Sequence, residues 1–280
     1  MHCSEFNMEI KNLYSHKSDK QIWRILISDS DKLILETRDL STKEVFFNCF
    51  YLDTGENIFC DLQLDEKCWI GIEEIYKDII FFHYFPKPDM PHHKGIIAFD
   101  ITSQNILWTN NEFSFLFAGD NKIYGFKQGF EERYFSALDY LTGNLIEEFG
   151  SDHKKINALQ KTADDQKDWS NYIYPQILKE ETCGKNIFEL IKTQTQDLDV
   201  AGEIEYNLYN DFLLFNFHSK ISEEQMANIF CAINLKDRSL SLAKILNAST
   251  KSLFTDSFFV YKNYLFLLCE KDEVIIYKIE

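Results

Sequence analysis

The chain has 280 residues, with 45 acidic side chains against 29 basic ones and a formal net charge of −16. An acidic surface with scattered lysines repels phosphate backbones, so a nucleic-acid partner is not expected. No apolar run reaches the length a bilayer needs, and Met1-His2-Cys3-Ser4-Glu5-Phe6 lacks both the basic start and the apolar core of a leader, so neither a membrane span nor secretion is read.

In chain order the predicted elements are mostly strands, because short apolar runs rich in Phe, Tyr and Ile alternate with polar turns. After a first candidate strand at 6–14 come five groups of strands, four strands in each but the last. The first is 23–28, 32–38, 44–51 and 56–62, and the second 69–76, 78–85, 94–101 and 105–110. A third covers 113–119, 122–127, 133–140 and 144–149. Residues 151–202 then change character. Ile156, Leu159 and Ala163 recur at near-helical spacing within 154–167, and Ile187, Leu190 and Ile191 do so within 186–195, with Tyr172-Ile173-Tyr174-Pro175 extended between them. Strands resume at 203–209, 211–217, 227–235 and 239–246, and the chain closes with 253–261, 264–269 and 273–279.

A small corner repeats along this order. Tyr51-Leu52-Asp53-Thr54-Gly55, Asp100-Ile101-Thr102-Ser103-Gln104, Asp139-Tyr140-Leu141-Thr142-Gly143 and Asn234-Leu235-Lys236-Asp237-Arg238 each join an apolar strand to the next. Self-similarity at blade-like intervals signals a repeat architecture. The expected fold is all-β: a β-propeller of four-stranded antiparallel blades over residues 1–280, with a helical insertion at 151–202 between blades. Five blades are counted, or six if the insertion hides a worn one. The last group is one strand short, and the 6–14 stretch is the candidate to complete it and close the ring.

Ala98-Phe99-Asp100 followed by Trp108, and Ala137-Leu138-Asp139 followed by Thr142-Gly143, resemble the blade repeat of the quinoprotein-dehydrogenase propellers. The layout, with Gly202-Glu203-Ile204-Glu205-Tyr206 after the insertion, is also similar to a bacterial family of propeller-like proteins with no assigned activity. The first resemblance implies a secreted protein holding a quinone and calcium beneath a stacking tryptophan. This chain departs from that pattern: no leader is read, and Trp23, Trp69, Trp108 and Trp169 are read mostly as strand residues packing between blades. No cofactor is therefore expected.

Chemistry-bearing motifs are sparse. Phosphate loops, dinucleotide fingerprints, nucleophile elbows and His-Glu-x-x-His are missing from the sequence, so no catalytic residue is named. The seven cysteines, without paired close spacing, read as free thiols in a reducing, cytoplasmic setting. His83 and His218 read as strand histidines satisfied by a neighbour, and Asp100 and Asp139 as turn residues accepting backbone N–H groups. Three enlarged segments, Pro86 to Lys94, Ser219 to Ala227 and 151–202, are expected to rise from one rim of the propeller, where binding residues tend to be placed. The candidates are Asp89, His92, His93 and Lys94 on the proline-stiffened loop, with Trp169, Tyr172 and Tyr174 on the insertion. Adjacent histidines on an extended backbone point apart, so no metal site is read there. The expected role is a monomeric, soluble, non-catalytic module binding a protein or peptide through the loop-bearing face. A hydrolase or lyase with its site in the central funnel, or a small-molecule or metal sensor using Asp89, His92 and His93, are the alternatives.

Overall fold

The computed structural model describes residues 8–86 and 92–280. The protein is all-β, with several antiparallel sheets and helices confined to 153–195 among the described residues. Backbone proximity divides it into two compact units: Ser18–Asp168, and Trp169–Glu280 together with the N-terminal stretch ending at Lys17. The N-terminal strand β1 (Ile10–Lys17) belongs to the second of these, here termed the terminal unit.

The 18–168 unit holds three antiparallel meanders, each running in chain order. The first is β2 (Gln21–Ile27), β3 (Lys32–Arg38), β4 (Val45–Tyr51) and β5 (Asn57–Leu62). The second is β6 (Ile70–Tyr76), β7 (Ile79–Tyr84), β8 (Lys94–Asp100) and β9 (Asn105–Asn110). The third, β10 (Ser114–Gly119), β11 (Lys122–Gln128), β12 (Arg133–Asp139) and β13 (Leu145–Gly150), touches the second through a single parallel bridge between Ser114 and Gly95. Strand β7 shows why its sequence is apolar at consecutive positions. Ile80 and Phe82 pack with Ile34, Phe47 and Phe59 of the first sheet, while Ile79 and Phe81 pack with Ala118, Ile123 and Leu138 of the third. Both faces are therefore dry, and each fully buried Phe is worth about 1.5–3 kcal/mol relative to exposure. Helix α1 (His153–Gln166) starts where Asp152 accepts the Lys155 N–H at 3.0 Å. It packs Ile156 and Ala163 onto Phe117, Tyr124 and Phe135 of the third sheet.

The terminal unit begins with two very short strands, β14 (Tyr172–Ile173) and β15 (Gln176–Ile177), then α2 (Glu180–Cys183) and α3 (Lys185–Thr195). The meander β16 (Val200–Tyr209), β17 (Phe212–Lys220), β18 (Met226–Asn234) and β19 (Leu240–Thr250) carries β15 on its β16 edge. One face of β17 (Leu213, Phe215, Phe217) packs with Ile191 of α3. The other (Phe212, Leu214) packs with Val260, Leu265 and Ile275 of the last sheet. That sheet contains β20 (Phe258–Tyr261), β21 (Tyr264–Cys269) and β22 (Glu273–Ile279). β1 adds the outer strand beside β22, with Ile10 opposite Ile279, and β14 adds the opposite edge beside β20. The part of the 6–14 expectation that falls on residues 6 and 7 lies outside the described residues.

The repeated corner has one backbone design. Its first residue accepts from the fifth: Gly55 N–H to Tyr51 O at 2.8 Å, Gln104 N–H to Asp100 O at 2.9 Å, and Gly143 N–H to Asp139 O at 2.8 Å. The fifth residue sits in the left-handed region each time, at φ 72° (Gly55), 56° (Gln104), 69° (Gly143) and 61° (Arg238). A further copy, Asp39 to Lys43, turns β3 into β4 with Lys43 at φ 66°. Asp139 accepts the N–H groups of Leu141 and Thr142 at 3.1 and 2.8 Å, and Asp100 those of Thr102 and Ser103 at 3.2 and 3.0 Å.

Candidate functional site

The sharpest polar constellation lies in the 18–168 unit, where Glu73, His83 and His93 place one potential ligand atom each within 4.8 Å of the others. Two irregularities in the ladder assemble it. The β6–β7 register slips between Ile72 and Glu74, so Glu73 is the extra residue of a bulge, beside Glu74. The β7–β8 register slips opposite His83, where Gly95 and Ile96 of β8 face that one residue of β7. Such bulges bend a strand and re-aim the side chain they carry. His93 enters just before β8, and its carbonyl accepts from Ser114 Oγ at 2.9 Å.

His83 is 1% exposed. Its seat depends on Gly71 opposite, since a Cβ there would lie 3.1 Å from Cε1 and 3.2 Å from Nε2. Phe85 stands edge-on to both imidazoles, with centroids 4.7 Å from His83 and 5.1 Å from His93. The two imidazoles stack in parallel at 3.5 Å and 3°. His93 Nδ1 hydrogen-bonds to Glu73 Oε1 at 2.7 Å. His83 Nδ1 lies 3.1 Å from the same oxygen but without hydrogen-bond geometry, and its Nε2 has no partner either. A buried polar group left in this state costs about 1–3 kcal/mol. Burial pushes the His83 imidazole below its ordinary pKa; Glu73 opposes this, while the charges of His93 and Arg24 add to it. For Glu73, burial favours the neutral acid, but the two imidazoles outweigh it and hold the carboxyl below its ordinary value. The cluster thus presents a carboxylate and a buried neutral imidazole behind a half-buried histidine.

The candidates read from the sequence separate. Asp89 lies outside the described residues. His92 and Lys94 are exposed beside half-buried His93, and of these only His93 reaches the cluster. Trp169, Tyr172 and Tyr174 belong to the terminal unit and form their own aromatic row. Tyr172 lies 5.7 Å from Trp169 and stacks on Tyr174 at 6.0 Å, while Tyr261 and Phe259 back the row at 4.7 and 5.8 Å. Trp169 is 60% and Tyr174 52% exposed. Sequence reasoning passed over Glu73 and took His83 as a satisfied core residue. The available signal was the pair Glu73-Glu74 inside an apolar strand, which breaks alternation and marks a bulge.

A second polar group, in the terminal unit, is built for structure. Asn216 Nδ2 donates to Asn228 Oδ1 at 3.1 Å, and Asn228 Nδ2 donates to Asn247 Oδ1 at 3.2 Å and Ser257 Oγ at 2.8 Å. Beside it, Glu205 accepts the Asp256 N–H at 3.2 Å, and His218 Nε2 accepts the Phe254 N–H at 3.1 Å. The sequence expectation for His218 matches this bond.

The fold and these sites define an all-β protein of repeated antiparallel meanders with, among the described residues, one three-residue histidine–carboxylate cluster. A family model described as a domain of unknown function (DUF4905) matches residues 27–108, a stretch that contains Glu73, His83 and His93. No curated protein matches the chain. Among solved structures, the chain is similar to Hsv2 of Kluyveromyces lactis (complete loop 6CD) at 10% identity and a TM-score of 0.30, over 89% of this chain and 70% of that one. No helix among the described residues is long and apolar enough to cross a membrane.

Proposed function

We propose that the meanders are blades of a β-propeller, five in number, and that the protein is a non-catalytic binding module for a protein or peptide partner. The repeated corner and the completion of the last sheet by β1 support the fold reading. The single observation that carries the functional reading is the aromatic row Trp169–Tyr172–Tyr174. Exposed tryptophan and tyrosine held in fixed orientation are the residue types that dominate binding energy at protein interfaces. Here β14 pairs with β20, and rings behind it fix the row at the sheet edge. The charge around it selects the partner. Burial first, and then the nearby Asp256 carboxylate, raise the Tyr174 phenol above its ordinary pKa, and the whole chain carries −16. Lys or Arg side chains stacking on exposed rings beside carboxylates suit that surface. Selection from a displayed random-peptide library, followed by calorimetry, tests this. Enriched peptides should be basic and should bind Trp169→Ala/Tyr174→Ala at least ~10-fold more weakly, the loss of about 1.4 kcal/mol expected for one interface anchor. Peptides that bind the double variant as well as the wild type refute the reading.

A further inference from the structure

We infer that Glu73, His83 and His93 form a binding site for a first-row divalent metal ion of the zinc class, separate from the aromatic row. Three features of the 18–168 unit carry this. Two nitrogens and one carboxylate oxygen, drawn from β6, β7 and the residue before β8, lie within 4.8 Å of one another. That donor set, two imidazoles and a carboxylate, suits zinc and its neighbours, and three protein ligands leave one coordination position open. Next, His83 is almost completely buried, its Nε2 has no hydrogen-bond partner, and its Nδ1 meets only the Glu73 carboxylate at 3.1 Å, without hydrogen-bond geometry. Last, the seat is built around this ring: Gly71 clears the space beside it, Phe85 walls it edge-on, and the β6 bulge carries Glu73.

The metal-free geometry also says what binding must change. An imidazole lone pair lies in the plane of its ring, and the His83 and His93 rings are parallel, 3.5 Å apart. No single point lies in both planes, so an ion held by both nitrogens requires one ring to tilt out of the stack. His83 is fixed by Gly71 and Phe85, whereas the His93 side chain is 34% exposed. His93 is the ring that turns. It gives up its hydrogen bond to Glu73, whose Oε1 and one nitrogen of each ring become the ligands at about 2.0–2.2 Å. Because protons compete with the ion for imidazole nitrogen, binding weakens as the solution is acidified.

Calorimetric titration of the full-length, chelator-treated protein with Zn²⁺, repeated with Co²⁺ for its visible spectrum, tests the assignment. The expected result is one ion per chain, a cobalt spectrum of low coordination number, and affinity at least ~10-fold weaker in His93→Ala and in Glu73→Gln. Both variants change groups that are not fully buried, and circular dichroism verifies that they fold; exposed His92→Ala serves as the control and should bind as the wild type does. Failure of the wild type to take up one equivalent overturns the proposal. So does a loss below tenfold in folded His93→Ala and Glu73→Gln. Neither result bears on peptide binding at Trp169 and Tyr174.

Discussion

Gly143→Ala measures how the repeated corner is locked to its neighbour. Gly143 is the fifth residue of the corner between β12 and β13, at φ 69°. Trp108, at the end of the previous meander, lies against it. A Cβ at 143 would come within 2.6 Å of Cδ2, 2.8 Å of Cε3 and 2.9 Å of Cγ. The indole is itself held, because its Nε1–H donates to the Tyr140 carbonyl at 3.0 Å and its ring lies 6.0 Å from Phe81. Two costs add. Placing an L-residue in the left-handed region costs about 1–2 kcal/mol, and overpacking a rigid ring costs about 1–3 kcal/mol. Urea unfolding should therefore show Gly143→Ala less stable by about 2–5 kcal/mol. The steric part disappears when the indole is removed, so in a Trp108→Ala background the same substitution should cost only about 1–2 kcal/mol. Equal costs in the two backgrounds would show that Trp108 does not dock on the corner, and the reasoning would fail.

Three further outcomes follow from the buried polar groups of the terminal unit. Asn228→Ala removes the partner of Asn216, Asn247 and Ser257 at a fully buried position and should cost about 2–4 kcal/mol in urea unfolding; under ~1 kcal/mol would mean the network is not formed. Burial raises the Glu205 pKa above the ordinary 4.5, with the Asp256 charge assisting and the Asp256 N–H opposing. A group raised on folding stabilises below its unfolded pKa and loses that contribution as pH rises through the folded value. Wild-type stability should therefore fall relative to Glu205→Gln as pH rises above about 4.5, and parallel profiles would contradict the shift. Burial depresses the His218 imidazole below 6.5. Its contribution is present above that value and is lost as pH falls through the folded pKa. Protonating Nε2 also breaks its bond to the Phe254 N–H, so acid should destabilise wild type more than His218→Gln as pH falls below 6.5.

Much of the strand order was legible because it rests on local signals. The runs Phe212 to Phe217 and Tyr264 to Cys269 are β17 and β21, and the helices expected at 154–167 and 186–195 are α1 and α3. The corner was readable at Gly55 and Gly143, where glycine marks the left-handed residue, and also at Gln104 and Arg238 from its framing by apolar strands. It was missed at Lys43, where a lysine adopts the same φ and leaves no mark. The extended piece at Tyr172 to Pro175 keeps only Tyr172–Ile173 as a strand, paired with β20, and a second two-residue strand follows it at Gln176–Ile177 on a different sheet, a partition made by tertiary pairing rather than local preference. Every described cysteine is free, and burial raises the Cys49 thiol to about 12 and those of Cys231 and Cys269 to about 11, consistent with cysteines packing as small hydrophobes. The Glu73–His83–His93 cluster escaped notice because its members are ten residues apart and Glu73 sits at a bulge. Strict alternation along β6 misplaces such a side chain, and the histidine doublet drew attention to His92, which remains exposed.

The most direct measurement is anomalous X-ray diffraction at the zinc edge from crystals of the full-length protein grown with Zn²⁺. The account requires a peak about 2.0–2.2 Å from Glu73 Oε1 and from one nitrogen each of His83 and His93, with the His93 ring swung out of the stack. A zinc peak elsewhere, or a clear map with the two rings still parallel at 3.5 Å and no peak between the three side chains, would contradict it.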